Sequence, residues 1–220
     1  MKDLAVVPVK GLAEAKKRLA ASLNHEERKR LVLAMLNDVL HALHRSGIFS
    51  QVLVISPDES LETEAYRNQA SFLQQNGSGL NRAIAQATKL AVQSGPASLT
   101  TVLADLPLVE PRDFEELASL SKIRPRVVLS PSLKGGTNVM MLSPPDVIPS
   151  AYGRWSYARH LRVAQQNGLP TYSLSNQRLS FDLDTLEDLK TLGRLDPMGR
   201  TNAGKLAREL TRQSPLARNS

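Results

Sequence analysis

The chain has 220 residues, 41% hydrophobic and 22% charged, enough for one large core, and no compositional break marks a linker or repeat. It contains no cysteine, which excludes a disulfide framework, a thiolate zinc site and a cysteine nucleophile, and fits a reducing compartment such as the cytoplasm. The formal charge of +7 suits an anionic partner, but residues 190–220 alone hold seven Lys or Arg against Asp196 and Glu209, and four Phe, four Tyr and one Trp make a poor base-stacking surface.

The first residues carry no signal-peptide layout, and no apolar run approaches the roughly 20 residues of a membrane helix, so neither secretion nor a membrane span is expected. Leu4-Ala5-Val6-Val7-Pro8-Val9 reads as a buried strand with Pro8 at its end, since proline cannot donate to a central ladder. The loop after it holds Gly11 and the cations Lys10, Lys16, Lys17 and Arg18. Such a loop can cradle phosphates, although it lacks the glycine spacing and Lys-Ser/Thr pair of a Walker A motif; a solvated amphipathic turn is the alternative.

Asn24 with Glu27 three residues later is a capping-box pair, and Leu31, Met35, Val39 and Leu43 fall on one face at i+4 spacing, predicting a core helix. His25, His41 and His44 lie on or beside that helix without a carboxylate-rich companion, and read as surface or packing residues. A second strand follows at Val52–Ile55, a helix near Leu61–Arg67 and a short strand at Ser71–Leu73, which together begin a βαβ series. Gly77-Ser78-Gly79 then precedes Asn81 and Arg82 at a helix start, where free backbone N–H groups can accept an anion or a base edge.

Thr101–Leu108 is an apolar run that stops on Asp105, with Pro107 preventing immediate continuation. An acid at the C-terminal edge of a parallel sheet can hold a hard divalent cation and, through it, phosphates; capping the helix predicted from Pro111 to Leu120 is the alternative. A strand at Arg126–Leu129 leads to Gly135-Gly136-Thr137-Asn138, where a hydroxyl and an amide reach the start of the next strand, either to bond a carboxylate or phosphate or simply to form a hairpin turn. Gly153-x-x-Ser156 places a bare backbone one turn from a hydroxyl at the N-cap of a helix running to Gln166. In Phe181-Asp182-Leu183-Asp184-Thr185, an extended strand would face both carboxylates the same way, and a divalent cation would relieve their repulsion. Thr185 with Asp188 predicts a further helix cap.

Pro8-Val9-Lys10, Ala15–Leu19, Gly79-Leu80-Asn81, Ala104–Leu108, Gly136-Thr137-Asn138 and Asp182–Thr185, taken in order, resemble the 2-phospho-L-lactate guanylyltransferases of coenzyme F-420 biosynthesis, up to about residue 192. The resemblance implies a single α/β domain of nucleotidyltransferase (Rossmann-like) type over residues 1–192, with a mixed, mostly parallel sheet flanked by helices. It implies transfer of GMP from GTP to 2-phospho-L-lactate, with phosphoenolpyruvate or 3-phosphoglycerate as the acceptor in relatives. Thr137, Gly153 and Ser156 match the residues that bind the phosphorylated acid, and Asp105, Asp182 and Asp184 those that bind Mg²⁺. Lys10, Lys16 and Arg18 would steady the triphosphate and, with Asp105, form the catalytic set; Lys10, Gly77, Gly79, Asn81 and Ala104 would contact the nucleotide. Residues 193–220 read as a loosely held basic tail, with a short helix at Ala203–Leu210 and a contact to the second subunit of a homodimer. The rivals are a nucleotidyltransferase of this fold acting on a sugar phosphate or molybdenum-cofactor precursor, and a basic nucleic-acid-binding protein without catalysis.

Overall fold

A computed structural model of the protein describes residues 3–120 and 122–213. The chain order is β1 (Asp3–Pro8), α1 (His25–Arg45), β2 (Gln51–Ser56), α2 (Leu61–Arg67), β3 (Ser71–Gln74), α3 (Leu80–Ser94), β4 (Ser98–Val102) and α4 (Pro111–Ser119). There follow β5 (Arg126–Pro131), β6 (Thr137–Ser143), α5 (Ser156–Gln166), β7 (Thr171–Ser173), α6 (Gln177–Ser180), α7 (Leu186–Leu195) and α8 (Asn202–Gln213).

The strands form one sheet in the order β3-β2-β1-β4-β6-β5-β7. β6 runs antiparallel to both neighbours and every other pairing is parallel, because Gly135 and Gly136 return the chain in a hairpin whereas the other connections cross over through helices. The apolar runs are continuous rather than alternating because both faces are covered. Ala5, Val7 and Val9 pack with Leu31, Met35, Val39 and Leu43 of α1, while Leu4 and Val6 face Ala83, Ala87 and Ala91 of α3. Each fully buried Val, Leu or Met among them stabilises the fold by about 1.5–3 kcal/mol.

Local signals hold where the chain made them explicit. Asn24 caps α1, accepting from Glu27 N–H at 2.9 Å while Glu27 Oε2 accepts from Asn24 N–H at 2.7 Å. Thr185 and Asp188 make the same reciprocal pair at α7. At α4 the box is Glu110 with Asp113, so Asp105 is not that helix's cap. No helix among the described residues is long and apolar enough to cross a membrane.

Three local expectations need correction. β4 ends at Val102, so Asp105 stands three residues beyond the strand. Residues 181–184 form no strand; their one link to the sheet edge is Leu183 N–H donating to the Asp105 carbonyl at 3.1 Å. The segment after residue 193 is not loosely held as far as it is described: Ala203, Leu206, Ala207 and Leu210 are buried against the α1 layer. Gly204 reflects close packing there, since a Cβ would lie 2.0 Å from Asp196 Oδ2. Pro215 and the rest of residues 214–220 lie outside the described residues.

Asp38 of α1 anchors this helix from 164 residues away. Its carboxylate accepts from Asn202 N–H and Nδ2 at 2.8 Å and from Ala203 N–H at 2.9 Å, satisfying donors that a helix start leaves open. Asp38→Ala should therefore lower the unfolding free energy by about 2–3 kcal/mol in urea melts; a change of under about 0.5 kcal/mol, the size expected of an ordinary surface site, would contradict this role.

Candidate active site

β1 and β4 are adjacent and parallel, but the chain leaves β1 toward β2 on one side and β4 lies on the other. Their C-terminal ends therefore flank a point where crossovers diverge, the position at which open α/β sheets bind ligands. A cleft of about 430 Å³ opens there, lined among others by Lys10, Lys16, Gly79, Ala104, Asp105 and Asp184. Lys10 is exposed at its rim.

Lys16 is the central side chain. The loop before it is pinned by Leu12 N–H donating to Asp58 Oδ2 at 2.9 Å and by the buried side chains of Leu12, Ala15 and Leu19. Lys16 itself adopts a left-handed conformation, φ 50°. Its ammonium lies 2.7 Å from Asp105 Oδ2 and 2.8 Å from Asp184 Oδ1. Burial alone would discharge it, but the charges of Asp105 and Asp184 outweigh that effect and hold its pKa above the ordinary lysine value. Burial likewise opposes the charge of Asp184, yet Lys16, Lys134 and Arg18 hold its carboxyl below the usual range. Arg18 stands 3.5 Å from Asp184 Oδ2 with its side chain 72% exposed, so it can turn toward a ligand.

Asp182 lies on the same side with Lys134 at 3.6 Å. Burial first and the Asp105 charge second push its pKa up. Among the described residues no group of three His, Cys, Asp or Glu forms a ready metal cage, because the Lys16 ammonium stands between Asp105 and Asp184. The donor set nevertheless fits a hard cation: Asp105 Oδ1 and Asp182 Oδ1 are both buried without a hydrogen-bond partner, and such orphaned oxygens are the ligands Mg²⁺ takes.

The segment carrying Asp182 and Asp184 is held by residues that local sequence did not identify. Buried Asn138 donates from Nδ2 to the Leu179 carbonyl at 2.9 Å, which consumes the amide expected to meet a ligand. Arg178 grips Asp113 with Nε at 2.9 Å and Nη2 at 2.6 Å. Gly79 lines the cleft and Gly77 does not; both have positive φ, and buried Gln75 donates to both of their carbonyls at 3.1 and 3.2 Å. Asn81 is not among the residues that line the cleft. It clasps the backbone of Tyr152, accepting from its N–H at 2.7 Å and donating to its carbonyl at 3.0 Å.

Thr137 begins β6 beside the end of β4, since Leu103 N–H donates to the neighbouring Asn138 carbonyl at 3.0 Å. It therefore shares the sheet edge of Asp105. Ser156 is the first residue of α5 rather than its cap, and its hydroxyl donates to Thr137 Oγ1 at 3.2 Å. Gly153 has φ 128°, a conformation open to glycine, and Trp155 covers Gly135 so closely that a Cβ there would meet the ring at 2.6 Å. Thr137 and Ser156 are themselves buried, and behind them lies the fully buried His160, whose Nδ1 is 2.9 Å from Thr137 Oγ1. No periodicity or motif marked it; only its position one turn after Ser156 on α5 could have.

Burial, reinforced by the Arg159 charge, pushes the His160 pKa down to about 4. The folded state thus prefers neutral His160, and its contribution to stability is complete above the unfolded value near 6.5 and is lost as pH falls toward 4. From pH 6.5 to 5.5 the wild-type unfolding free energy should fall about 1 kcal/mol more than that of His160→Asn; parallel pH profiles of the two proteins in urea melts would contradict a buried neutral histidine.

Comparison with known proteins agrees with this geometry. Residues 3–195 match the family model "Guanylyl transferase CofC like". A phosphoenolpyruvate guanylyltransferase of Sphaerobacter thermophilus is 39% identical over 92% of this chain and 98% of its own. A 2-phospho-L-lactate guanylyltransferase of Methanocaldococcus jannaschii is 32% identical over 86% of this chain and 81% of its own. The crystal structure of a protein from Desulfovibrio desulfuricans G20, assigned as a nucleotide-diphospho-sugar transferase, superposes with a TM-score of 0.80 over 97% of this chain and 98% of that one, and at 20% identity this shows the fold alone. With the match spanning 193 of its positions, from Asp3 to Leu195, the chain belongs to the CofC-like guanylyl transferase family.

Proposed function

We propose that the protein transfers GMP from GTP to the phosphate of 2-phospho-L-lactate, giving lactyl-2-diphospho-5'-guanosine and pyrophosphate in coenzyme F-420 biosynthesis. The observation that carries this reading is the Lys16 ammonium held between Asp105 and Asp184 at the mouth of the cleft, in a chain of this family. Phosphoenolpyruvate is the second reading. It is favoured by the 39% identity to the relative named for it, against 32% for the relative named for phospholactate. The two acids share a carboxylate beside a phosphate-bearing carbon, so one pocket can present donors to both.

An oxygen of the acid's phosphate attacks the α-phosphorus of GTP in line; the bond from that phosphorus to the bridging β-oxygen breaks, and pyrophosphate leaves with the electron pair. A phosphate monoester is already anionic near neutral pH, so no general base is required. Two anions must nevertheless meet, and positioning with charge neutralisation supplies the catalysis. Lys16, Lys10 and Arg18 neutralise the triphosphate and the departing pyrophosphate. Lys16 is already charged there and needs only to exchange the Asp184 carboxylate for a triphosphate oxygen. Gly79 and the Ala104 backbone let the nucleotide approach the sheet edge, and Thr137, Gly153 and Ser156 receive the acid. Mg²⁺, held when bound by Asp105 with Asp182 and Asp184, would supply charge stabilisation between the phosphates.

Mass spectrometry of the product formed from GTP with each acid tests the reading; the expected product carries one guanylyl group on the acid's phosphate, and GDP with free phosphate as the only products would overturn it. Asp105→Asn and Asp184→Asn should each lower pyrophosphate release by about 100-fold or more with the fold retained by circular dichroism. Turnover within threefold of wild type in both would remove the aspartates from the chemistry. Thr137→Val should raise KM for the acid by about tenfold, the equivalent of one lost hydrogen bond of about 1.4 kcal/mol, and leave KM for GTP unchanged. Equal effects on both substrates would place Thr137 elsewhere.

A further inference from the structure

His160 lies one turn into α5, fully buried, its ring edge-on to Tyr152 at 5.0 Å between centroids. Both ring nitrogens are engaged. Ala151 N–H lies 2.8 Å from Nε2, and a backbone amide can only donate, so Nε2 carries no proton. The amide is fixed in that direction from the other side as well, because Asn81 of α3 clasps both polar groups of the next residue, Tyr152. A neutral imidazole with a bare Nε2 must carry its proton on Nδ1. Nδ1 faces Thr137 Oγ1 at 2.9 Å, so the imidazole donates to the threonine.

The Thr137 oxygen then receives two donors, His160 Nδ1–H and the Ser156 hydroxyl at 3.2 Å. A hydroxyl has two lone pairs and one proton. With both lone pairs committed, the threonine's own proton must point to a third group, and among the described residues no protein group is recorded accepting it. Neutrality of the ring at working pH follows from its burial and from the Arg159 charge beside it.

We propose that His160 is a positioning residue that fixes the Thr137 hydroxyl as a donor, so that this hydroxyl takes an anionic oxygen, carboxylate or phosphate, and rejects a ligand group that can only donate. This rests on the reading of Thr137 as a contact of the phosphorylated acid, and makes that contact directional. Without His160 the threonine hydroxyl could turn its proton inward to Ser156 or to the emptied site, and the acid would meet a lone pair instead of a donor. His160 does not touch substrate; it acts through Thr137.

Two substitutions separate this role from simple support of the loop. Asparagine places its amide N–H where Nδ1 stands and keeps the donor to Thr137; glutamine reaches the position of Nε2 and keeps the partner of Ala151 N–H. In steady-state assays of the full chain, His160→Leu and His160→Gln should raise KM for the acid by about tenfold with KM for GTP within about twofold, and His160→Asn should recover most of that loss. Recovery by glutamine and not by asparagine, or equal rises in both KM values, would overturn the inference. A ¹H–¹⁵N correlation spectrum of the wild-type protein gives a readout independent of any variant. A proton on Nδ1 and none on Nε2 is expected, and the Nε2–H tautomer would overturn the inference. If Thr137→Val raises KM for the acid while His160→Leu does not, the inference fails alone; if Thr137→Val leaves it unchanged, the acceptor-pocket reading fails with it.

Discussion

Three carboxylates at one sheet edge cannot stay ionised and close together without compensation. The Lys16 ammonium supplies it for two of them, bonded to Asp105 and Asp184 at once, while Lys134 bonds Asp188 and stands 3.6 Å from Asp182. These contacts join the loop after β1, the loop after β4 and the segment before α7, stretches 89 and 168 residues from Lys16 in sequence. A partly buried ion pair of this kind adds little net stability over an apolar replacement. On the proposed reading the cluster serves incoming phosphates more than it staples the fold. Triphosphate oxygens can take over the ammonium, and a cation can take over the carboxylates.

Around that cluster the proposed nucleotide and acceptor sides have separate supports. On the nucleotide side, Gln75 shapes the Gly77–Gly79 turn leading into α3. On the acceptor side, the β5–β6 hairpin and the start of α5 bring Thr137, Ser156 and His160 together. Asn81 links the two, since it belongs to α3 and holds Tyr152 of the acceptor loop. It therefore ties the start of α3 to the loop before α5.

Much of the fold was legible because local signals and periodicity agreed with the final packing. The Asn24 and Thr185 boxes, the apolar face of α1 and the strand ending near Asp105 each needed only neighbouring residues. What was not legible depended on distant partners. Asn138 and Asn81 offered free amides in sequence, and tertiary contacts with Leu179 and Tyr152 took them. The spacing of Asp182 and Asp184 suggested a strand, but among the described residues no strand pairs with 181–184, and the segment is held by Leu183 N–H on the Asp105 carbonyl and by the side-chain contacts of Lys16 and Lys134. The basic segment after residue 193 read as loosely held, whereas Gly204 is small because Asp196 presses against it and α8 is capped from α1 by Asp38. His160 carried no local pattern at all; its significance comes from Ala151 and Thr137 closing on it from two elements.

The most direct measurement is a crystal structure of the protein with Mn²⁺ and a GTP analogue whose α,β-bridging oxygen is replaced by a methylene, read by manganese anomalous scattering. The account predicts the α-phosphate in the cleft beside Asp105, manganese on the Asp105 carboxylate, and the Lys16 ammonium moved from Asp184 to the triphosphate. Nucleotide bound away from this cleft, with Lys16 still bridging Asp105 and Asp184, would contradict it.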